Sequence, residues 1–486
     1  MFEVPEKQKS LLRSLSEKLD EAVGVISPKA ALNRKLARFS YDVLDGSRTR
    51  RKRTSIGGSG DVHLTESRQA DLREICRDMM RNNPLINGVL KIERDEVVGE
   101  GVIIQARTDN EDVNRQIEDM WYEEMEQRPV DVRGQFDFSD ILRLAYLSYR
   151  RDGDFFIIFL DDKIQAIEGD QVGTPYGDPN DNPKNYEVIN GVAYSKTTLE
   201  LLGYYIGQSD QKYGYIKPGT WKKYPAAVVH HWFNPERSSL SRGEPALTSA
   251  INYIDKLDKY YDAELVAATV NACYTMFVAK KDPSLAMPAP YTGGMSSSGY
   301  DSDNNRLEKI EPGVILYGEP GESATGIGNQ RPGGMFEPFV LRTLSMISRP
   351  LCFPLMLMTG DYSGATFMNA RIAYQQAQKN WRCEQKVISK FVSRTYRWKM
   401  TQWLNSGKIK DRRGIFNHEI YCNRWPYVDP TKEADADRQQ IENRTLTRTE
   451  ICAKQGRDFN DVVKKLAEEE KILESLGLTK EEGTKA

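Results

Sequence analysis

Residues 245–272 read PALTSAINYIDKLDKYYDAELVAATVNA, and residues 335–351 read MFEPFVLRTLSMISRPL. In the first stretch Leu247, Ala250, Ile251, Ile254, Leu257, Tyr261, Leu265, Ala268 and Ala272 hold one stripe at helical spacing. The stretch predicts a helix of 28 residues, about 42 Å long at 1.5 Å per residue. Its other face carries Asp255, Lys256, Asp258, Lys259, Asp262 and Glu264. A rod this long with a narrow apolar stripe suits packing against neighbouring helices in a bundle or ring. The second stretch repeats the pattern with Phe339, Leu341, Leu344 and Ile347. Between them, Tyr274 to Val278 and Val314 to Tyr317 read as strands separated by a Ser/Gly-rich segment, Tyr291 to Asn305. A helix out, a compact module and a helix back predict a stalk with a tip.

On the N-terminal side, helical periodicity starts at Thr65, with Leu72, Ile75, Cys76 and Met79 in register. Asn83-Pro84 reads as the N-cap and first residue of the next helix. Two more helices follow, one with Val113, Ile117 and Trp121, the other with Phe138, Ile141, Leu142 and Tyr149. Phe155 to Leu160 then reads as a buried strand, and short strands with the hairpin signal Asn190-Gly191 run to residue 232. Residues 1–64 read as a flexible basic arm. Its run RTRRKR at 48–53 is either a solvated tail or an electrostatic contact with nucleic acid or an acidic partner. On the C-terminal side, Glu419 to Trp425 reads as a strand rejoining the first domain. Residues 429–486 read as helical, opened in part by the capping box Thr447-Arg448-Thr449-Glu450. The expected class is α+β, mainly helical.

The charge is concentrated between Ala365 and Asn405, a stretch without Gly or Pro. It holds eight basic residues against Glu384 alone, in a chain of net charge −2. Lys379, Arg382, Lys386, Lys390, Arg394 and Arg397 recur every three or four residues and so share one helical face, with Trp381, Phe391, Tyr396, Trp398 and Trp403 interleaved. The strip is either a solvated face over an aromatic core or a surface for a polyanion, touching phosphates without reading sequence.

Several function classes are excluded or left unsupported. The near-neutral balance rules out a uniformly basic nucleic-acid binder. The longest uncharged apolar-rich stretch, Leu265 to Ala279, has 15 residues, short of the roughly 20 a spanning helix needs. The Lys- and Glu-rich residues 1–22 do not read as a signal peptide. No two of the six cysteines are closer than 30 residues, which speaks for reduced, mostly buried thiols rather than a metal or disulfide framework. The only Gly-Lys pair, Gly407-Lys408, is followed by Ile409, so the phosphate-binding P-loop is missing. His418-Glu419 lacks a second histidine at position 422, which is Cys. Asp301-Ser302-Asp303-Asn304 lacks the glycine turn of a calcium loop. A metal-dependent nucleic-acid-processing enzyme with dispersed carboxylates stays open as the alternative, because such sites assemble only in space.

Three stretches together resemble the portal proteins of tailed bacteriophages, in their lambda-type branch. They are Arg81-Asn82-Asn83-Pro84 with Gly88 and Val97-Val98-Gly99; the block Leu307 to Lys379; and the ending Arg448-Thr449-Glu450, Gly456-Arg457-Asp458, Glu470 and Leu476-Gly477-Leu478. Within the block, Pro312-Gly313, the returning helix, the 359–365 loop and Ala370-Arg371 come in the family's order. The resemblance covers most of residues 65–478 and leaves 1–64 outside.

It implies a ring, usually of twelve copies, at one capsid vertex. Double-stranded DNA enters through it by the action of terminase and leaves through it at infection. Carried over, residues 65–244 correspond to the wing. Residues 245–272 and 335–351 correspond to the stem helices, and 273–334 to the clip that meets the terminase large subunit and later head-completion or adaptor proteins. Residues 352–428 correspond to the tunnel loop, the long basic helix and the wing's return strand, and 429–486 to the crown. The tunnel loop would comprise Thr359, Gly360, Asp361, Tyr362, Ser363 and Gly364. Leu247, Ile251, Ile254, Leu257 and Tyr261 would pack the stem between copies. The basic strip would face either DNA or the neighbouring copy. The major capsid or scaffolding protein would be a further partner. The resemblance implies a component of the virion, assembled in the host cytoplasm, without cofactor or catalytic chemistry of its own.

Overall fold

The computed structural model describes residues 58–175, 185–210, 216–217, 219–278, 299–300, 306–307, 314–317, 333–425, 429–454, 457 and 459–476. Outside them lie the arm up to residue 57, most of the Ser/Gly-rich segment, Pro312-Gly313, the glycines between 318 and 332, and Gly456. The class is α+β and mainly helical. The chain divides into two compact units, Met1–Ser249 with Pro350–Ala486, and Ala250–Arg349.

The larger unit is built on local signals the sequence carries openly. The Asn83 side chain accepts a hydrogen bond from the Ile86 amide at 3.0 Å, capping the helix Pro84–Val97. Asn190 and Gly191 take φ of +51° and +82°, the left-handed pair a two-residue hairpin needs, between strands Tyr186–Ile189 and Val192–Ser195. Strand Asp154–Phe159 is buried along its whole length. It lies antiparallel between Ile164–Ile167 and Val229–Phe233. Its Phe156 and Ile158 share a core with Val192, Tyr204 and Ile206 of the neighbouring four-stranded sheet. The aromatic core beyond holds Trp121 edge-on to Phe138 (5.3 Å), Phe138 stacked on Phe391 (6.0 Å), and Trp232 against Tyr149 (5.8 Å) and Phe391 (5.4 Å). Strand His418–Tyr421 returns to pair antiparallel with Ile103–Ala106.

Ion pairs fasten the helices around this core. Arg77 reaches both Asp152 (2.8 Å) and Asp170 (2.5 Å), Arg73 reaches Asp170 (2.8 Å), and Arg150 reaches Glu93 (2.9 Å). Further on, the Thr447 amide donates to Glu450 Oε2 (2.8 Å) while the Glu450 amide donates to Thr447 Oγ1 (3.2 Å), a reciprocal capping box.

In the smaller unit, a helix Ile251–Cys273 runs beside Phe336–Ser348. Tyr260 stacks on Phe336 at 5.6 Å and meets Phe339 edge-on at 5.0 Å. The first helix is shorter than the expected 245–272. Both the amide (3.1 Å) and the hydroxyl (2.7 Å) of Thr248 bond the Pro245 carbonyl, closing a turn that the helix does not enter until Ile251. Strands Tyr274–Val278 and Val314–Tyr317 pair in parallel.

The cysteines also depart from expectation. Cys76 and Cys422 are buried thiols, whereas Cys352 and Cys383 are exposed. Cys352 sits at a positive-φ turn and Cys383 on the solvent side of a helix. No described helix is long and apolar enough to cross a membrane.

Candidate nucleic-acid interface

The helix Phe367–Asn405 starts at Thr366, whose hydroxyl accepts from the Asn369 amide at 3.3 Å, and runs 39 residues. Its buried side carries Ala377, Trp381, Gln385, Ile388, Phe391, Val392, Tyr396 and Trp403. The opposite side is the basic strip. Lys379, Arg382, Lys386, Lys390 and Arg397 are exposed along it.

Arg394 is the exception to the expected row. Its guanidinium donates to the carbonyls of Ala226 (2.7 Å) and Ala227 (2.9 Å) and lies 3.4 Å from His230 Nδ1, which ties it into the fold. Of the interleaved aromatics, Trp381, Phe391, Tyr396 and Trp403 are buried core, while Trp398 is half-buried and donates to the Leu160 carbonyl at 3.1 Å.

One cation of this helix, outside the strip, is buried. Lys399 bonds Glu124 at 2.9 Å, Lys408 reaches the same carboxylate at 2.5 Å, and Trp403 Nε1 donates to it at 3.0 Å. Burial alone would raise the Glu124 pKa, but these three donors hold it down at about 2. Periodicity marks Lys399 as facing inward with Trp403, and nothing in the sequence names its partner.

The loop between Leu355–Thr359 and the long helix is exposed from Gly360 to Gly364. Gly360 closes the short helix at φ +68°. Asp361 Oδ1 then accepts from the Ser363 amide at 2.9 Å, and the Ser363 hydroxyl and amide lower its pKa. Tyr362 is exposed, and the same exposure continues through Phe367, Met368 and Ile372. The first cation after the loop, Arg371, pairs with Glu433 at 3.2 Å. The loop surface therefore carries one carboxylate, the Tyr362 ring and no cation, and exposed apolar side chains follow it on the helix.

The residues expected to pack the stem between copies are already covered within one chain. Leu247 is 0% exposed, Ile251 and Ile254 are 2%, and Leu257 is 5%. Tyr261 is half-covered, its ring 5.8 Å from Phe336. Stripe position alone does not separate a residue buried in its own subunit from one awaiting a neighbour. Among the described residues, the most uncovered apolar side chains on or next to the two helices are Tyr253, Leu265 (65% exposed), Val266, Met335, Phe339 and Met346.

The described residues thus present two paired helices with uncovered apolar side chains, an exposed loop without a cation, and a long helix with a basic strip over an aromatic core. Residues 46–385 match the family described as phage portal protein, lambda family, and the chain belongs to that family. A probable portal protein of Halomonas phage phiHAP-1 is 22% identical over 452 residues, covering 87% of this chain and 85% of the relative. Among solved structures, a chain from the neck of an empty gene transfer agent (GTA) particle computed with C6 symmetry is similar with a TM-score of 0.39. It is 11% identical, over 80% of this chain and 93% of that one. A chain from the virion of a native GTA particle gives 0.38 at 12% identity, over 80% and 93%.

Proposed function

We propose that copies of this portal protein close into a ring of twelve at one capsid vertex. Double-stranded DNA passes through its channel, inward when packaged by terminase and outward at infection. The observation that carries the reading is the family match across residues 46–385, which takes in both paired helices, the 359–365 loop and the start of the basic helix.

In this reading residues 65–244 and 365–428 form the wing, and 273–334 form the clip that meets the terminase large subunit and then the head-completion proteins. Residues 429–486 form the crown, and the ring seats in the shell of major capsid or scaffolding protein. The loop Thr359 to Gly364 lines the channel. Its composition suits that place, because each phosphate neutralised by a cation adds affinity and drag on the passing duplex, and this loop offers no cation. Stem contacts between copies fall to Leu265, Val266, Phe339 and Met346, which a single chain leaves uncovered. The protein supplies no bond chemistry of its own.

Negative-stain imaging of the purified protein tests this directly. Rings with a central hole, together with capsids that stay empty of DNA when the protein is omitted, are the expected results. A monomer that cleaves plasmid in the presence of Mg²⁺ would sink the reading.

A further inference from the structure

The exposed strip of the long helix has a counterpart on the same chain that it cannot reach. Residues 109–126 hold eight acids against Arg115 alone. The helix Glu111–Trp121 turns Ile117 and Trp121 inward, and Trp121 lies 6.0 Å from Tyr396 of the long helix. Glu124 also turns inward, to Lys399 and Trp403. Asp109, Asp112 and Asp119 are exposed on the far side. At 3.6 residues per turn, Lys379, Lys386, Lys390 and Arg397 share one azimuth of the long helix, while Tyr396, Lys399 and Trp403 stand away from it toward the acidic helix. Basic strip and acidic face thus point away from each other across one core. Lys379, Lys386 and Lys390 have no ion-pair partner among the described residues.

We propose that the basic strip of one copy docks on the acidic face of the next copy, a head-to-tail contact that repeats around the ring. The inference rests on the ring reading above and adds to it the surface by which neighbouring wings recognise each other. Two unlike, complementary patches on different sides of a subunit are what a heterologous, closing contact requires. Charge complementarity of this kind sets register and excludes wrong pairings. A second copy is favoured over DNA as the occupant because a row of five cations per subunit, multiplied around a ring, would hold a polyanion that a conduit has to release.

A charge-swap experiment tests the contact. One variant carries Lys379→Glu, Lys386→Glu and Lys390→Glu, the other Asp109→Lys, Asp112→Lys and Asp119→Lys. All six positions are exposed, and circular dichroism checks that each variant folds. Each variant alone should lose rings by about tenfold or more at low salt, since like charges then meet. Mixed together they should recover rings in which the two alternate, read by native mass spectrometry. A second readout uses the exposed Cys383 within the strip. Asp119→Cys should give Cys383-dependent multimers under oxidation, abolished by Cys383→Ser. Wild-type rings accompanied by equally abundant rings of the strip variant would overturn the contact alone, and lowered DNA retention in filled heads would then assign the strip to DNA. A wild-type chain that never forms rings would remove the ring reading and the contact together.

Discussion

Arg242 and Asp154 form an ion pair with both side chains fully buried, the guanidinium donating to both carboxylate oxygens. The remaining donors of Arg242 go to the carbonyls of Gly169 (2.9 Å), Val172 (3.0 Å) and Asn190 (3.2 Å). One side chain thereby ties the central strand to two turns. Asp154 also receives Gln69 Nε2 at 3.1 Å, which brings in the helix Glu66–Asn82. Removing the carboxylate leaves a guanidinium buried without a counter-charge. Asp154→Ala should therefore cost about 3–5 kcal/mol in urea unfolding of the dispersed subunit. Combining it with Arg242→Met should cost less than the two single losses added, because the stranded charge is gone.

Acid should weaken this region through two adjacent histidines. His231 is sandwiched between Phe156 (4.1 Å) and Phe233 (4.2 Å), and burial lowers its pKa to about 4 against the pull of Asp154. Burial, then Arg394, lowers His230 to about 3. Both titrate near 6.5 in the unfolded chain. Between that value and the folded pKa the unfolded chain binds protons that the native one refuses. Stability therefore falls as pH drops through about 6.5, and goes on falling until the folded-state pKa is reached. His231→Phe or His230→Phe should each flatten the slope of unfolding free energy by up to about 1.4 kcal/mol per pH unit. Comparing slopes of variant and wild type isolates the histidines from Glu384, whose burial raises its pKa and works in the opposite direction.

Gly153 and Gly243 should be the least replaceable glycines of the larger unit. Gly153 ends the helix Phe138–Asp152 at φ +92°, and a Cβ there would stand 2.7 Å from the Gly243 carbonyl oxygen. A Cβ on Gly243 would stand 2.0 Å from the Gly153 oxygen. Two backbones cross where no side chain fits. Gly153→Ala and Gly243→Ala should each lower the thermal midpoint by several degrees or prevent folding, while Gly364→Ala, with open space around it, should leave the midpoint within about a degree.

Local signals were legible because their physics is local. Asn83-Pro84, Asn190-Gly191 and Thr447 to Glu450 each close a hydrogen bond within a few residues, and each is found where the sequence puts it. The long basic helix was equally legible, since 39 residues without Gly or Pro leave little else for the chain to form. Partnerships across the chain were not. Nothing in a periodic row distinguishes Arg394, which bonds the carbonyls of a turn about 168 residues earlier, from Lys390, which stays in solvent. The early start expected for the helix at Pro245 failed for a related reason. Apolar spacing counts side chains, whereas the Thr248 amide bonding back to the Pro245 carbonyl is a backbone decision.

The apolar residues of Ile251–Cys273 divide into covered and uncovered ones, and mutation should separate what each set does. Ile254 and Leu257 are covered within the chain, so truncation to Ala opens a cavity. Either change should destabilise the subunit by about 2–5 kcal/mol, whether or not rings form. Leu265 and Val266 are about two-thirds exposed, at 65% and 63%, and Phe339 and Met346 on the companion helix are about half exposed. Replacing these four with Ser removes little that a lone chain buries beyond the Tyr260–Phe339 contact, so the unfolding free energy of the dispersed subunit should fall by less than in either cavity variant. Their apolar area would be lost only where a neighbour covers it, at about 25 cal/mol per Å². Ring yield in sedimentation velocity should therefore collapse for the four-Ser variant and survive in the cavity variants at temperatures where these remain folded. The reverse pattern, rings from the four-Ser variant and none from folded Ile254→Ala, would return the inter-copy contact to the inner stripe.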